Sequence, residues 1–539
     1  MAALAGLLVA VAGLLALPQA AQARPAARTQ AKPAAAASVD AYPVPSIYSL
    51  STDYTLTVNG TSVPVQHFTG YDIAQFALGT GSATIAVTKI NNTTIGAYSI
   101  SPEKLGITGT INGPTLTFTV QQDAYLIVKL DGRPNLVIAA DPAQTSVPAS
   151  SGTGIYNVTS PPYSAVPNTL AYMTTPFQNA LNDAAAYGGA NNTQGIVYVP
   201  PGVYTLGNLY LRSNLAFYLA PGAVLRYTGD AAYYVVDGHK TSQNRDLTWF
   251  ISTRYSSTNI KIYGRGVIDG DGAASLEPSN LGVNLLAPIY TDHFTVDGIT
   301  FRESSSWSII PVRSSNMTFT NMKIFNRFDM GEDDGIDVME STNVNVTHAI
   351  GIGLDDPFST KTWPAGTDII DTVPGDPRPL SNVTFTDLVS WTNCYGIKVG
   401  QGVAESQDGV TFENVTVYDA AVGIGIDHKY GAAAATNAKF DNIDIERLDY
   451  TNAGNRTWLA LMVEDESSGV GPVTGVTISN VKVRDAGTTA ARVNGQPGAL
   501  ISGVALSNIV MPGSTSPATT LAQVNLTNIS NNGSITIAP

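Results

Sequence analysis

The sequence predicts an all-β protein built mainly as a parallel β-helix, preceded by a helical cap and a small N-terminal β-sandwich domain. Three observations carry this expectation. Charged residues make up only 13% of the 539-residue chain while Gly reaches 50, a balance that suits short strands joined by tight turns and excludes a long helical bundle. Residues 42–149 alternate between apolar and polar positions, as half-buried strands do. From about residue 290 to the end, one short apolar motif recurs. A chain this long exceeds one ordinary core, so either two domains or one elongated repeat stack is expected.

Residues 2–17 are apolar and lead to Pro18 and then Ala21-Gln22-Ala23. This pattern predicts a signal peptide cleaved after Ala23, and hence a secreted, extracellular protein. The run is shorter than the roughly 20 residues a spanning helix needs, and no later stretch is expected to cross a membrane. Residues 24–40 are Ala/Pro-rich without periodicity and read as a linker. Over 41–160, runs such as Tyr54-Thr-Leu-Thr-Val58 and Thr115-Leu-Thr-Phe-Thr-Val120, separated by turns such as Asn59-Gly60 and Asp131-Gly132, predict an antiparallel β-sandwich.

The catalytic region is expected over 161–539. Thr175-Pro176-Phe177-Gln178 has the form of a capping box with Pro at the first helical position, and Phe177, Ala180, Leu181, Ala184 and Ala185 follow at helical spacing. Such a helix would cap the open apolar end of a repeat stack. The repeat itself reads Gly409-Val-Thr-Phe-Glu-Asn-Val-Thr-Val417 and Gly475-Val-Thr-Ile-Ser-Asn-Val-Lys-Val483 in two of its copies. Aligning the second residue of each copy gives positions 294, 317, 344, 383, 410, 438, 476, 504 and 524. Coils of this period, with two longer steps for inserted loops, would stack about 4.8 Å apart and bury one face continuously.

A net charge of −14 disfavours nucleic acid and anionic membranes as partners, since both select basic patches. The single cysteine, Cys394, excludes an intramolecular disulfide. Sequons such as Asn345-Val346-Thr347 arise freely in Asn/Thr-rich strands and do not establish glycosylation.

One stretch breaks the Asn/Thr/Val pattern with acids. Asp329 is followed by Glu332-Asp333-Asp334-Gly335 and Asp337, and then by Asp355-Asp356-Pro357. Asp334 and Asp355 are 21 residues apart, about one coil, so their carboxylates are expected on neighbouring rungs. At an effective dielectric of 20, two charges about 4 Å apart cost about 4 kcal/mol, enough to keep one protonated near neutral pH. A protonated acid beside ionised ones suits glycoside cleavage, where one carboxyl protonates the leaving oxygen and another activates water. A calcium site or a solvated acidic turn are the alternatives. Asp355 and Asp356 are adjacent, so both can serve only at a turn or strand end.

At these residues the sequence resembles glycoside hydrolase family 28, the polygalacturonase family, and its relatives in the dextranase and isopullulanase family. The resemblance runs from Pro201-Gly202-Val-Tyr204 and Leu219-Ala-Pro-Gly-Ala223 through Ile268-Asp269-Gly-Asp-Gly272 and Ser306-Trp307 to the acids. The family's N-T-D-G-I-D motif appears as Glu332-Asp333-Asp334-Gly335-Ile336-Asp337, and its G-D-D motif as Leu354-Asp355-Asp356, with Lys361 five residues on. The resemblance implies a right-handed, pectin-lyase-like β-helix and an inverting hydrolase. It makes Asp355 the general acid, with Asp334 and Asp356 holding the attacking water. The family's G-H-G-x-S-I-G motif looks like Cys394-Tyr395-Gly396-Ile397-Lys398-Val399-Gly400, and its G-I-R-I-K motif like Gly423-Ile424-Gly425-Ile426-Asp427. The His and both bases of those motifs are therefore absent.

The expected sugar contacts are Asp337, Lys361, Trp363, Tyr395, Lys398, Asp427, His428 and Lys429, with Trp307 and Tyr430 as further aromatic candidates. No cofactor and no metal are expected. Because Asp427 would repel a uronate, the sequence favours a neutral polysaccharide such as dextran, cleaved by a dextranase-like hydrolase. A polygalacturonase-type pectin hydrolase is the alternative, and a polysaccharide lyase or a non-enzymatic surface β-helix lies further off.

Overall fold

The computed structural model describes residues 36–450, 454 and 456–539, so the signal peptide and most of the linker expected from sequence lie outside the described residues. Among those described, no helix is long and apolar enough to cross a membrane.

The repeat becomes a right-handed parallel β-helix whose longest sheet has 20 strands. Its register follows the sequence alignment: Phe294 pairs with Met317, Met317 with Val344, Val344 with Val383 and Val383 with Val410. These positions stack because each copy places its apolar residues on the inner face, where one continuous core runs from Val158 to Leu526. Phe385, Phe412 and Phe440 lie in a stacked column within it. At the turns, Asn343 donates to Asn316 and Asn382 to Asn343, all three at positive φ. Asn tolerates this left-handed backbone and its amide satisfies the next coil's. The last copy departs from the alignment. Val504 pairs with Ile535, while Leu526–Ser530, next to the copy at 524, joins a different, seven-stranded sheet beside Ala491–Asn494. Its apolar pattern fits either sheet, because both bury one face against the same core.

The helix spans Thr174–Asn191 and buries Phe177, Ala180, Leu181 and Ala184. The expected capping box does not form: the N-cap is Met173, without a side-chain cap. Gln178 instead accepts from Tyr210 N at 2.9 Å and donates to Tyr210 O at 3.0 Å, and Thr174 Oγ1 accepts from Gly207 N at 2.6 Å. Tethering the helix to the first coils satisfies those side chains better than closing on their own turn.

The N-terminal region folds as a six-stranded and a five-stranded sheet around a core including Leu56, Phe76, Val87, Leu126 and Ile138. It differs from expectation in two ways. Asn135–Pro142 runs parallel to Tyr71–Leu78, so the pairing is not purely antiparallel. Its borders also move: Val39 and Asp40, read as linker, belong to the strand Val39–Ala41, which pairs with Tyr71–Leu78, and Ile155–Asn157 pairs with Gly195–Val199 as the first rung of the coil. Phe68, Tyr71 and Tyr125 pack the sandwich against Phe325, Ile350 and Trp391 of the coil.

Candidate active site

The acids sit where the seven-stranded sheet begins. Gly335 N donates to Asp356 O at 2.9 Å and Ile336 pairs with Phe358, which puts Asp334 level with Asp356 on adjacent coils. Asp355 and Asp356 lie in the turn before the strand Phe358–Thr362. That irregularity lets two consecutive carboxylates face one pocket. Asp333, which the sequence reading did not select, fixes the turn: its carboxylate accepts from Asp355 N at 2.9 Å and from Leu354 N at 3.3 Å. Thr392 Oγ1 holds the far side by donating to Asp355 O at 2.7 Å.

A cavity of about 400 Å³ is bounded by Asp334, Asp355, Asp356, Lys361, Lys398, Trp307, Trp363 and Tyr430, together with Lys240, Glu332, Asp368 and Gln401. Asp334, Asp355 and Glu332 bring oxygens within 4.8 Å of one another, and Asp355, Asp356 and the Cys394 sulfur do likewise. Asp356 is ion-paired with Lys398 and accepts from Tyr395 N at 3.1 Å. Lys361 Nζ lies 2.7 Å from Asp334 and also pairs with Asp337, which accepts from Ser359 behind the pocket wall. Among the described residues, Asp355 has no cation within ion-pair distance, and its side chain accepts from Asp356 N at 3.0 Å.

Electrostatics follow from that pairing. Burial, then the Asp356 charge, pushes Asp355 up to about 6, and Lys398 only partly opposes this. Burial works on Asp356 in the same direction, but Lys398 and Lys361 outweigh it and hold its carboxyl below the usual range. Asp334 is raised by burial and by Asp337 despite Lys361, because the two carboxylates share that one ammonium. The trio thus contains a group protonated under mildly acidic conditions beside an ionised one.

The other expected contacts divide. Trp307 and Trp363 meet edge-on at 5.6 Å, and Trp363 stands 5.1 Å from Tyr430. Tyr395 does not line the cavity; its ring lies over Gly425, where any Cβ would collide with it. Asp427 is also outside the lining, buried, with Lys429 Nζ 3.7 Å away. Lys429 is drawn outward to Glu464 at 3.0 Å. His428 is a correction: it is fully buried, and its Nε2 meets Ala433 O at 2.7 Å, so it faces its own turn rather than a ligand.

Sequence reasoning missed Lys240, Asp368 and Gln401, and quoted Glu332 without giving it a role. Lys240 comes from the strand Gly238–Lys240 and is clamped between Asp368 at 2.9 Å and Glu332 at 3.2 Å. Trp307 Nε1 donates to the same Glu332 at 3.2 Å. Asp368 belongs to the loop at 362–380, whose presence the long step between the copies at 344 and 383 implies and which the sequence suggests could close one end of a groove; it walls the pocket.

A larger cleft of about 770 Å³ lies elsewhere, between sandwich and coil. Both clusters of converging acids among the described residues border the smaller cavity, which is why the chemistry is sought there.

Residues 193–367 and 375–528 match the sequence profile described as Glycosyl hydrolases family 28. Exopolygalacturonase A of Aspergillus niger is 25% identical over 251 residues, 43% of this chain and 52% of the relative. An endo-polygalacturonase of Pectobacterium carotovorum subsp. carotovorum is 24% identical over 320 residues, 52% of this chain and 77% of the relative. The chain spans about half the length of the curated relatives first matched. Among solved structures, a hyperthermoactive exopolygalacturonase from Thermotoga maritima superposes with a TM-score of 0.51 at 16% identity, over 66% of this chain and 86% of that one, which is agreement in fold.

Proposed function

Because this chain belongs to glycosyl hydrolases family 28, we propose that it hydrolyses the glycosidic bonds of a galacturonan-type polysaccharide, with Asp355 as general acid. Asp355 gives its proton to the leaving oxygen as the glycosidic bond breaks. Water held by Asp334 and Asp356 attacks the anomeric carbon, and its proton passes to Asp356, the member of that pair held ionised by Lys398. The observation that carries this reading is a difference in pairing: among the described residues, Asp334 and Asp356 each have an ammonium at ion-pair distance and Asp355 has none.

The neutral, dextran-type substrate expected from sequence is not kept. The curated relatives named above are polygalacturonases, and the repulsion ascribed to Asp427 loses its force because Asp427 does not line the cavity. The three ammonium groups of the lining, Lys240, Lys361 and Lys398, are each paired with pocket carboxylates, so the relatives, not a free cation, carry the choice of a galacturonan. Carboxylate spacing alone would favour retention of configuration, since inverting pairs are usually about 6.5–9.5 Å apart; inversion rests on the family resemblance, with the water beside the acid rather than between it and Asp334. The apolar leader read in the sequence supports action outside the cell.

The test is release of reducing ends by the purified protein from polygalacturonate, dextran, pullulan, arabinan and galactan, with the product anomer followed by NMR. Polygalacturonate should be cleaved with inversion. Cleavage of a neutral glycan alone would overturn the substrate class, and net retention would remove Asp356 as a base.

A further inference from the structure

The larger cleft has a lining that the acid pocket does not explain. It lies between the hairpin Gly109–Asn112 and Thr115–Val120 of the sandwich and the coil strands Thr342–Gly353, Leu380–Thr392 and Gln407–Asp419. Those coil strands belong to the 20-stranded sheet, whereas the acid pocket is built on the seven-stranded one, so the two sites occupy different faces of the coil.

Three features mark the cleft as suited to a hydroxylated ligand, with Lys104 set beside the lining carboxylates Asp123 and Asp387. Lys104 borders it and donates to Asn414 Oδ1 at 2.9 Å, with no carboxylate at ion-pair distance among the described residues. Burial lowers its pKa, and the charges of Asp444, Asp387 and Glu446 oppose that shift from beyond ion-pair distance. Next, two buried polar atoms in the lining have no hydrogen-bond partner, Thr416 Oγ1 and His348 Nε2. Buried polar atoms without partners are uncommon and call for a ligand or water. His348 is otherwise held in place: Nδ1 lies 2.6 Å from Asp387, its ring centroid lies 4.4 Å from that of Tyr125 with the planes tilted by 35°, and Asp123 stands 3.6 Å from Nε2. A sugar hydroxyl could bridge the last two groups. Finally, the lining mixes apolar side chains such as Leu105 with threonines such as Thr119, which suits a pyranose with one apolar face and a rim of hydroxyls.

We propose that this cleft is a second glycan-binding site, which holds a uronic-acid oligosaccharide through Lys104, Asn414, His348 and Thr416 while the acid pocket cleaves another stretch of polymer. The choice of a uronic acid rests on the proposed function; the existence of a glycan site rests on the cleft.

The experiment is calorimetric titration of tetragalacturonate, and separately of neutral galactotetraose, into the full chain carrying Asp355→Asn to stop turnover. Tetragalacturonate should fill two sites. Lys104→Ala combined with Thr416→Val should leave one, and so should Thr119→Trp, which fills the cleft without touching the coil core; each variant is checked for an unchanged melting temperature. A single site in the parent, or two sites in both variants, overturns the proposal, as does galactotetraose filling the cleft equally well. Two-site binding without release of reducing ends from polygalacturonate by the wild-type protein would instead defeat the proposed function and leave the cleft standing.

Discussion

Two carboxylates show what pairing does in this molecule. Asp141, at the seam between sandwich and coil, is fully buried and fully partnered: both oxygens lie 2.8 Å from Lys323 Nζ, Tyr125 and Tyr42 donate to it at 2.7 and 3.1 Å, and Arg265 stands 3.4 Å away. Asp355, across the coil, is partly exposed at the cavity wall and has no cation at ion-pair distance among the described residues. A carboxylate set among cations is an anchor in one place, and one set apart from them is an acid in the other.

The sharpest way to break the comparison is to neutralise each carboxylate. Asp355→Asn should lower kcat by at least about 100-fold, the low end for a lost general acid, with a melting temperature near the parent's. Asp141→Asn should do the reverse. It leaves Lys323 buried without its charge partner and should cost about 3–5 kcal/mol in urea unfolding, with activity per folded molecule retained. If Asp355→Asn unfolds the chain and Asp141→Asn does not, the two roles have been assigned the wrong way round.

A smaller effect tests the cation rule itself. Lys398→Met removes the ammonium that keeps Asp356 ionised, so the acidic limb of the kcat profile should move to higher pH, by a unit or more, about 1.4 kcal/mol. An unmoved limb would mean that Asp356 is not the ionised partner.

The third test uses pH alone. With Asp355 near 6 in the folded state against an ordinary 3.8, kcat should fall as pH rises through about 6, when the acid loses its proton. Stability carries the same sign. The folded state holds this proton more tightly, so its contribution is complete below about 3.8 and is lost as pH rises through about 6. Denaturant midpoints across that window should therefore decline less in Asp355→Asn than in the parent.

The smallest effect lies at the capped end, far from either carboxylate. Gln178→Ala removes two hydrogen bonds to Tyr210 and should cost roughly 1–2 kcal/mol, with kcat unchanged.

What the sequence determined by itself was the coil and the grouping of its acids. Alternation within each copy decides which residues face inward, and a constant step between copies decides which residues stack, so Phe294, Met317, Val344, Val383 and Val410 fall in register. The spacing of Asp334 from Asp355 and Asp356 placed them on adjacent coils in the same way. Tertiary structure decided everything that breaks the repeat. The copy at 524 moved to another sheet, Gln178 chose Tyr210 over its own helix end, and Lys240 and Asp368 arrived from separate segments to meet Glu332. The reason is that a repeat encodes only contacts between neighbouring coils, whereas the charges that tune a pocket come from segments brought together by the folding of the whole chain.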